Sequence, residues 1–159
     1  MSDERERVRQ NLVGKDLFES LVDLEVEKAT RLQYCVSVVC LTPDVPVEKT
    51  DPAVTKHLAA VATRSVRATD VVTTLSPSSI GLLLIDAGTH DLPRIFRRTT
   101  AELFGRPLAA GAGEERATWS AGGSCYPLTA TNGNELLRQA SDLLSRAQQE
   151  GGGRLCLPG

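Results

Sequence analysis

The run at residues 34–41 constrains the fold of this chain more than any other feature. It reads Tyr-Cys-Val-Ser-Val-Val-Cys-Leu, which is nearly continuous in apolar character and rich in β-branched residues. A strand with this pattern is typically covered on both faces. We therefore expect an α/β structure in which helices cover both sides of a sheet.

The remainder of the chain predicts amphipathic helices that alternate with short strands. Helical spacing of apolar residues is found at 2–32, where Gly14 is a candidate break, and at 52–67, 92–104 and 134–149. Strand patterns occupy 71–75, 80–85, 117–126 and 154–157, and the turn-forming residues 76–79 join the first two as an antiparallel hairpin. After the leading helix the order is β-α-β-β-α-β-α-β. This order fits an α+β fold of the ferredoxin-like or polymerase-palm type, with a mostly antiparallel five-stranded sheet flanked by helices.

Length and charge limit the classes of partner. A chain of 159 residues with 41% hydrophobic residues is the size of one domain. Its 18 Lys and Arg nearly balance its 20 Asp and Glu, so we expect no nucleic-acid partner. No apolar run reaches the ~18 residues that a membrane span requires, and the N-terminus lacks the apolar core of a signal peptide. We therefore expect a cytoplasmic protein without membrane insertion.

Several short segments follow one another in an order that is more specific than any one of them. Residues 68–75 and the following Ser-Pro-Ser-Ser-Ile resemble a segment that ends in G-G-D-E-F, and residues 120–122 resemble S-I-G. Residues 126–127 match Y-P, and 135–147 resemble an E-L-L-x-x-A-D-x-A-L-Y-x-A-K helix. Over residues 16–154 the chain thus resembles the GGDEF family of diguanylate cyclases, which condense two GTP into cyclic di-GMP. We predict an N-terminal helical arm at 1–15 and a GGDEF-like domain at 16–159.

The catalytic positions depart from the family pattern. The resemblance implies two metal ions, held by an Asp at the end of the first strand and an acidic residue in the hairpin. This chain has Thr42 at the first position and Ser78 and Ser79 in the hairpin. Mg²⁺ prefers carboxylate oxygens, and a hydroxyl does not ionise at neutral pH. We therefore predict a pseudo-enzyme with no catalytic residues, no metal and no cofactor.

Other departures have the same implication. The hairpin glycines of the family are Ser76 and Pro77 here, and Pro77 has no N–H to offer a phosphate. The family stretch F-K-x-x-N-D, implied to bind base and phosphate, is shortened to a linker at 45–50, and the late lysine is Gln148. The resemblance thus implies that the substrate site is lost.

One family motif outside that site is intact. Arg67-Ala-Thr-Asp70 is separated from Ser76 by five residues, which is the spacing of the R-x-x-D product site of active relatives. The resemblance implies binding of intercalated cyclic di-GMP dimers there. Arginine offers a planar fork to phosphate or to the guanine Hoogsteen edge, and aspartate accepts from guanine N1–H and N2–H. Arg98 is a further candidate ligand-binding residue, with Arg97 and Arg94 near enough in sequence to assist.

Two functions remain open at this point. The first is a cyclic di-GMP receptor that signals through a downstream protein partner or a homodimer. The alternative is a ligand-independent interaction or dimerisation scaffold, in which Asp70 caps a turn and Arg67 is solvated at a helix end. A residual nucleotidyl transferase or GTP-binding regulator would require metal ligands that the sequence lacks.

Overall fold

The computed structural model describes residues 11–109 and 117–159. The helices in this part of the chain are α1 (Lys15–Leu32), α2 (Pro52–Ala62), α3 (Leu92–Leu103) and α4 (Gly133–Gln149). The strands are β1 (Val36–Pro43), β2 (Val71–Ser76), β3 (Ser79–Ile85), β4 (Trp119–Tyr126) and β5 (Leu155–Cys156). The predicted order of elements is therefore confirmed.

The strands form one five-stranded sheet in the order β2-β3-β1-β4-β5. The β2–β3, β3–β1 and β1–β4 pairs are antiparallel, and only the short β5 lies parallel to its neighbour β4. The predicted fold, a mostly antiparallel five-stranded sheet flanked by helices, is confirmed.

Strand β1 lies at the centre of the sheet, and all eight of its residues are buried. Its side chains alternate between two apolar clusters. Val36 and Val38 lie in a cluster with Phe18 of α1, whereas Val39 lies in a cluster with Leu58 of α2. Successive strand residues point to opposite faces, so a continuous apolar run is what a doubly covered strand requires.

Helix α4 packs closely against β4. A Cβ atom added at Gly122 would lie 2.0 Å from the Ala140 carbonyl oxygen and 2.3 Å from the Leu144 nitrogen. The glycine of the Ser-Ala-Gly segment is therefore required because the helix backbone approaches the strand at this position.

The N-terminal segment runs alongside the edge strand β2. Leu12 forms a parallel bridge with Val72, and the Val13 nitrogen donates to the Val72 carbonyl at 3.0 Å. Helix α1 begins directly after Gly14, as the break predicted there requires. Residues 1–10 of the predicted arm lie outside the described residues, so the division between arm and domain stays a prediction.

The second helix is shorter than predicted. It ends at Ala62 and is followed by a 3₁₀ turn at Thr63–Ser65, whereas the periodicity extended it to residue 67. The hydroxyls of Thr63 and Ser65 donate to the carbonyls three residues earlier, at 2.6 and 2.7 Å. Such local bonds compete with helical ones, so the chain leaves the helix before Arg67. Within the described ranges, no helix combines the length and the apolar character needed to cross a membrane.

Candidate functional site

Asp70 fixes the loop at residues 66–70, which precedes β2. Its side chain is only 3% exposed. One carboxylate oxygen accepts a hydrogen bond from the Ile85 nitrogen and the other from the Arg67 nitrogen, each at 2.9 Å. A carboxylate that accepts two backbone N–H groups holds both of them in place. Asp70 therefore joins the loop to the end of β3.

The Arg67 side chain lies on the outer surface of this loop. Its Nη2 donates to the Ile85 carbonyl, and its Nε lies 3.8 Å from a carboxylate oxygen of Asp70. The side chain nevertheless remains 59% exposed. The guanidinium is thus held in one place while most of its N–H groups still face solvent.

Asn11 clamps the same loop from the N-terminal side. This buried side chain donates from Nδ2 to the carbonyls of Arg67, Ala68 and Asp70 at 3.0, 3.3 and 2.9 Å. Nothing in the sequence pattern marks Asn11, because its partners are more than fifty positions away. It is a structural residue of the site that sequence reasoning missed.

Helix α3 brings Arg98 to this loop. The Arg98 Nε donates to the Ser65 carbonyl at 2.8 Å, two positions before Arg67. The buried Ser65 and Thr99 hydroxyls are 2.7 Å apart and share a hydrogen bond. Helix α3 is therefore joined at Ser65 to the 3₁₀ turn that precedes the loop, and ligand binding by Arg98 stays a prediction.

The other two predicted arginines lie elsewhere on α3. Arg94 pairs with Asp91 at the start of the helix, with 3.5 Å between Nη2 and the carboxylate. Arg97 lines a separate cleft with Phe104 and Trp119. A contribution of Arg94 and Arg97 to the predicted site stays a prediction. The positions of the two side chains do not support it.

A second feature is a cavity of about 450 Å³ between α1, α4 and the β2–β3 hairpin. The three positions predicted to have lost their carboxylates, Thr42, Ser78 and Ser79, all line it. The Thr42 hydroxyl donates to the Ser78 carbonyl at 3.0 Å, so this donor is used within the protein.

The residues around this cavity do not fit a pair of divalent metal ions. Glu19 is the only carboxylate among the described residues that line it. In the described part of the chain, no three His, Cys, Asp or Glu side chains come together in a group that could hold a metal. Mg²⁺ sites are built from carboxylates and phosphate oxygens, and this donor set supplies too few of them.

The carboxylate of Asp44, the acidic residue nearest to Thr42 in sequence, forms hydrogen bonds within the protein. Its carboxylate accepts from the hydroxyls of Thr118 and Ser120, each at 2.6 Å, and from the Gly153 nitrogen at 2.8 Å. Gly152, at φ +75°, completes this turn after α4. Asp44 therefore joins the end of β1 to the C-terminal turn.

No family model matches this chain, and no curated protein sequence matches it. Solved structures do match. The GGDEF domain of YfiN (TpbB) from Pseudomonas aeruginosa superposes with a TM-score of 0.81 at 20% identity, covering 94% of this chain and 98% of that one.

Two further solved structures give the same result. The FimX GGDEF domain from Pseudomonas aeruginosa has a TM-score of 0.79 at 12% identity, covering 94% of this chain and 96% of that one. The GGDEF domain of DgcB from Caulobacter crescentus, solved in complex with c-di-GMP, has a TM-score of 0.76 at 12% identity, covering 93% and 92%. The chain therefore has the fold of a GGDEF domain.

Proposed function

We propose that this protein is a cyclic di-GMP receptor without cyclase activity, which binds its ligand at the 66–70 loop. The observation that carries this proposal is the geometry of Arg67. Its guanidinium is largely exposed, yet it is held on a loop fixed by the buried carboxylate of Asp70. A preorganised arginine fork loses little conformational entropy when it binds a phosphate.

Arg98 adds a second cation to this surface. It is exposed and is held at Ser65 by its Nε, so its two terminal nitrogens remain available. One arginine on the loop and one bonded to the turn before it suit a ligand with two phosphodiester groups and guanine Hoogsteen edges. Asp70 is buried and both of its oxygens accept backbone N–H groups, so direct acceptance from a guanine N–H stays a prediction that this placement does not support.

The side chains that line the cavity support the proposed lack of cyclase activity. Hydroxyls occupy positions 42, 78 and 79, and Asp44 is held by Thr118, Ser120 and Gly153. Phosphoryl transfer relies on metal ions to neutralise the developing charge. We expect no cyclic di-GMP from GTP and Mg²⁺ by chromatography. Product formation that Thr42→Val abolishes would contradict this part of the proposal.

Proteins of this fold support both halves of the proposed role. The DgcB domain is solved in complex with c-di-GMP. SiaD, a diguanylate cyclase from Pseudomonas aeruginosa with a TM-score of 0.76 at 14% identity, is solved in complex with its activator SiaC. By analogy, the receptor would signal through a downstream protein partner or a homodimer.

One observation favours the alternative, a ligand-independent scaffold. Leu17, Leu24 and Leu32 are 53%, 48% and 70% exposed and follow one another along α1. Exposed leucines in a row are typical of a protein-protein contact. A scaffold predicts that the oligomeric state does not change when cyclic di-GMP is added.

Calorimetric titration of cyclic di-GMP into the full chain tests the proposal. We expect micromolar binding that Arg67→Ala weakens by at least about tenfold, the loss of roughly one charge-assisted contact. Arg64→Ala is the matched control, since Arg64 is an exposed arginine on the neighbouring 3₁₀ turn. The proposal is wrong if the folded protein gives no heat, or if both variants lose binding equally.

A further inference from the structure

The cleft between helix α3 and the start of β4 has a volume of about 460 Å³. Its walls come from one side of α3 with Phe104 after it, from residues 117–119 and from Gly153. We call it the α3 cleft. It shares no residue with the loop at residues 66–70.

Trp119 supplies a hydrogen-bond donor to this cleft. The residue is only 4% exposed, and its indole Nε1 forms no hydrogen bond within the part of the chain that the structure describes. In the same ranges, the one buried side-chain nitrogen or oxygen that lacks both a partner and contact with solvent is Thr89 Oγ1. The Trp119 nitrogen therefore reaches solvent, and the cleft that this residue lines provides the opening. A buried indole N–H usually has a partner, so its free N–H leaves a place for a ligand acceptor.

Arg97 supplies a second set of donors. Its side chain is exposed, and no residue in the described ranges forms a hydrogen bond or an ion pair with the guanidinium. The Thr100 hydroxyl donates to the Phe96 carbonyl at 2.9 Å, so that proton is already used. Guanidinium and indole groups donate but do not accept. The free polar groups of the cleft thus select a ligand with acceptor atoms and negative charge.

The charges around the cleft favour a single negative charge on that ligand. Arg97 is the only charged residue among the described residues that line it. Asp44 accepts from the Thr118 hydroxyl at 2.6 Å and from the Gly153 nitrogen at 2.8 Å, so a carboxylate lies behind that part of the wall. One cation close to a fixed anion suits a carboxylate better than a doubly charged phosphate. Arginine also binds carboxylates through two parallel hydrogen bonds.

The rest of the cleft is apolar and aromatic. Phe96, Ala101 and Phe104 form one side, and Ala117 and the Trp119 ring form the other. Phe104 is 60% exposed, which is unusual for so large an apolar side chain. Aromatic side chains pack against other rings edge to face or offset. Apolar walls with a few polar groups are the usual composition of a small-molecule site.

We propose that the α3 cleft is a second ligand site, which binds a carboxylate attached to an aromatic ring. The juxtaposition that carries it is an unpartnered indole N–H in a nearly buried tryptophan, an unpaired arginine and aromatic walls. A free aromatic acid and a peptide that ends in an aromatic residue share this chemistry. The proposal does not depend on cyclic di-GMP binding, since the cleft and the loop at residues 66–70 share no residue.

Tryptophan fluorescence of the full chain tests the proposal, because Trp119 is the single tryptophan and reports on the cleft. The probes are 3-phenylpropionate, its uncharged amide and phenyl phosphate. We expect 3-phenylpropionate to bind with a Kd below about 1 mM. The amide lacks the charge that Arg97 pairs with, and the phosphate has an excess charge. Both should therefore bind at least about tenfold more weakly.

A peptide probe distinguishes the two sources of the carboxylate. The tripeptide Gly-Gly-Phe is titrated with a free and with an amidated C-terminus. Tighter binding of the free tripeptide than of 3-phenylpropionate would identify a chain terminus as the ligand, and weaker binding would identify a free acid. Either result supports the site, provided that the amidated forms bind less tightly.

Variants locate the site. Arg97→Gln removes the charge and Ala101→Leu fills the cleft, so each should weaken binding of 3-phenylpropionate at least about tenfold. Both positions are exposed, so the melting temperatures should stay close to that of the unchanged protein. Arg64→Gln is the matched control, because Arg64 is an exposed arginine that does not line the cleft. No fluorescence change with any probe, equal binding of acid and amide, or unchanged affinity in Arg97→Gln would each overturn the proposal.

Discussion

At the scale of single residues, the carboxylate of Asp70 determines how a substitution in the loop at residues 66–70 affects the protein. Both of its oxygens accept backbone N–H groups, and the side chain is buried. The sequence marked Asp70 and Arg67 as a pair by the spacing of the R-x-x-D motif. The internal bonds of Asp70 could not be predicted, because Ile85 reaches it only after β2 and β3 have paired.

We expect Asp70→Ala to lower the free energy of unfolding by roughly 2–4 kcal/mol, because two backbone N–H groups lose their acceptor. Arg67→Ala should cost less than about 1 kcal/mol, since the Arg67 side chain is mostly exposed. Urea denaturation of both variants checks this. A change of less than about 0.5 kcal/mol for Asp70→Ala would show that the loop does not depend on this carboxylate.

Asn11 offers a second test at this scale. Asn11→Ala leaves three loop carbonyls without their side-chain donor, so we expect a loss of about 1–3 kcal/mol in stability. Hydrogen exchange should accelerate at residues 67–73 more than in α4. Unchanged exchange in this segment would mean that the N-terminal residues do not support the loop.

At the scale of elements, the apolar periodicity predicted every helix and strand described here, but it did not predict where α2 ends. That boundary depends on hydroxyl-to-carbonyl bonds at Thr63 and Ser65, which periodicity does not detect. The role of Asp44 could not be predicted from the sequence either. The sequence left it as a surviving carboxylate beside Thr42, and only the folded chain brings Gly153 to it.

The contact of α4 with β4 can be tested directly. Gly122→Ala should lower stability by about 3 kcal/mol or more, because backbone atoms of α4 occupy the space of the new Cβ. Gly14→Ala is the control, since a Cβ there meets nothing within 4 Å and the backbone φ is −70°. The melting temperatures of the two variants, measured by thermal unfolding, check this prediction. Equal melting temperatures would mean that α4 does not approach β4 this closely.

At the scale of the whole molecule, burial of a thiol makes the free energy of unfolding depend on pH in the alkaline range. Desolvation raises the pKa of Cys40 to about 12. An unfolded cysteine ionises near pH 8.5, so between about pH 9 and pH 12 the unfolded state has lost a proton that the native state keeps. The free energy of unfolding should therefore fall by up to about 1.4 kcal/mol per pH unit from this thiol alone.

Comparison with Cys40→Ala isolates this contribution. Urea denaturation between pH 8 and pH 10.5 should give a shallower decline for the variant than for the unchanged protein. Parallel declines would mean that Cys40 ionises in the native state as readily as in the unfolded chain.

The central claim concerns where cyclic di-GMP binds, and amide NMR shifts on a ¹⁵N-labelled sample test it most directly. Titration to saturation should move the amide signals of Arg67 and Asp70 in the loop and of Ile85, whose nitrogen donates to Asp70. The hairpin amides at residues 78 and 79 should keep their positions. Shifts confined to the hairpin, or none at saturating ligand, would contradict the receptor account.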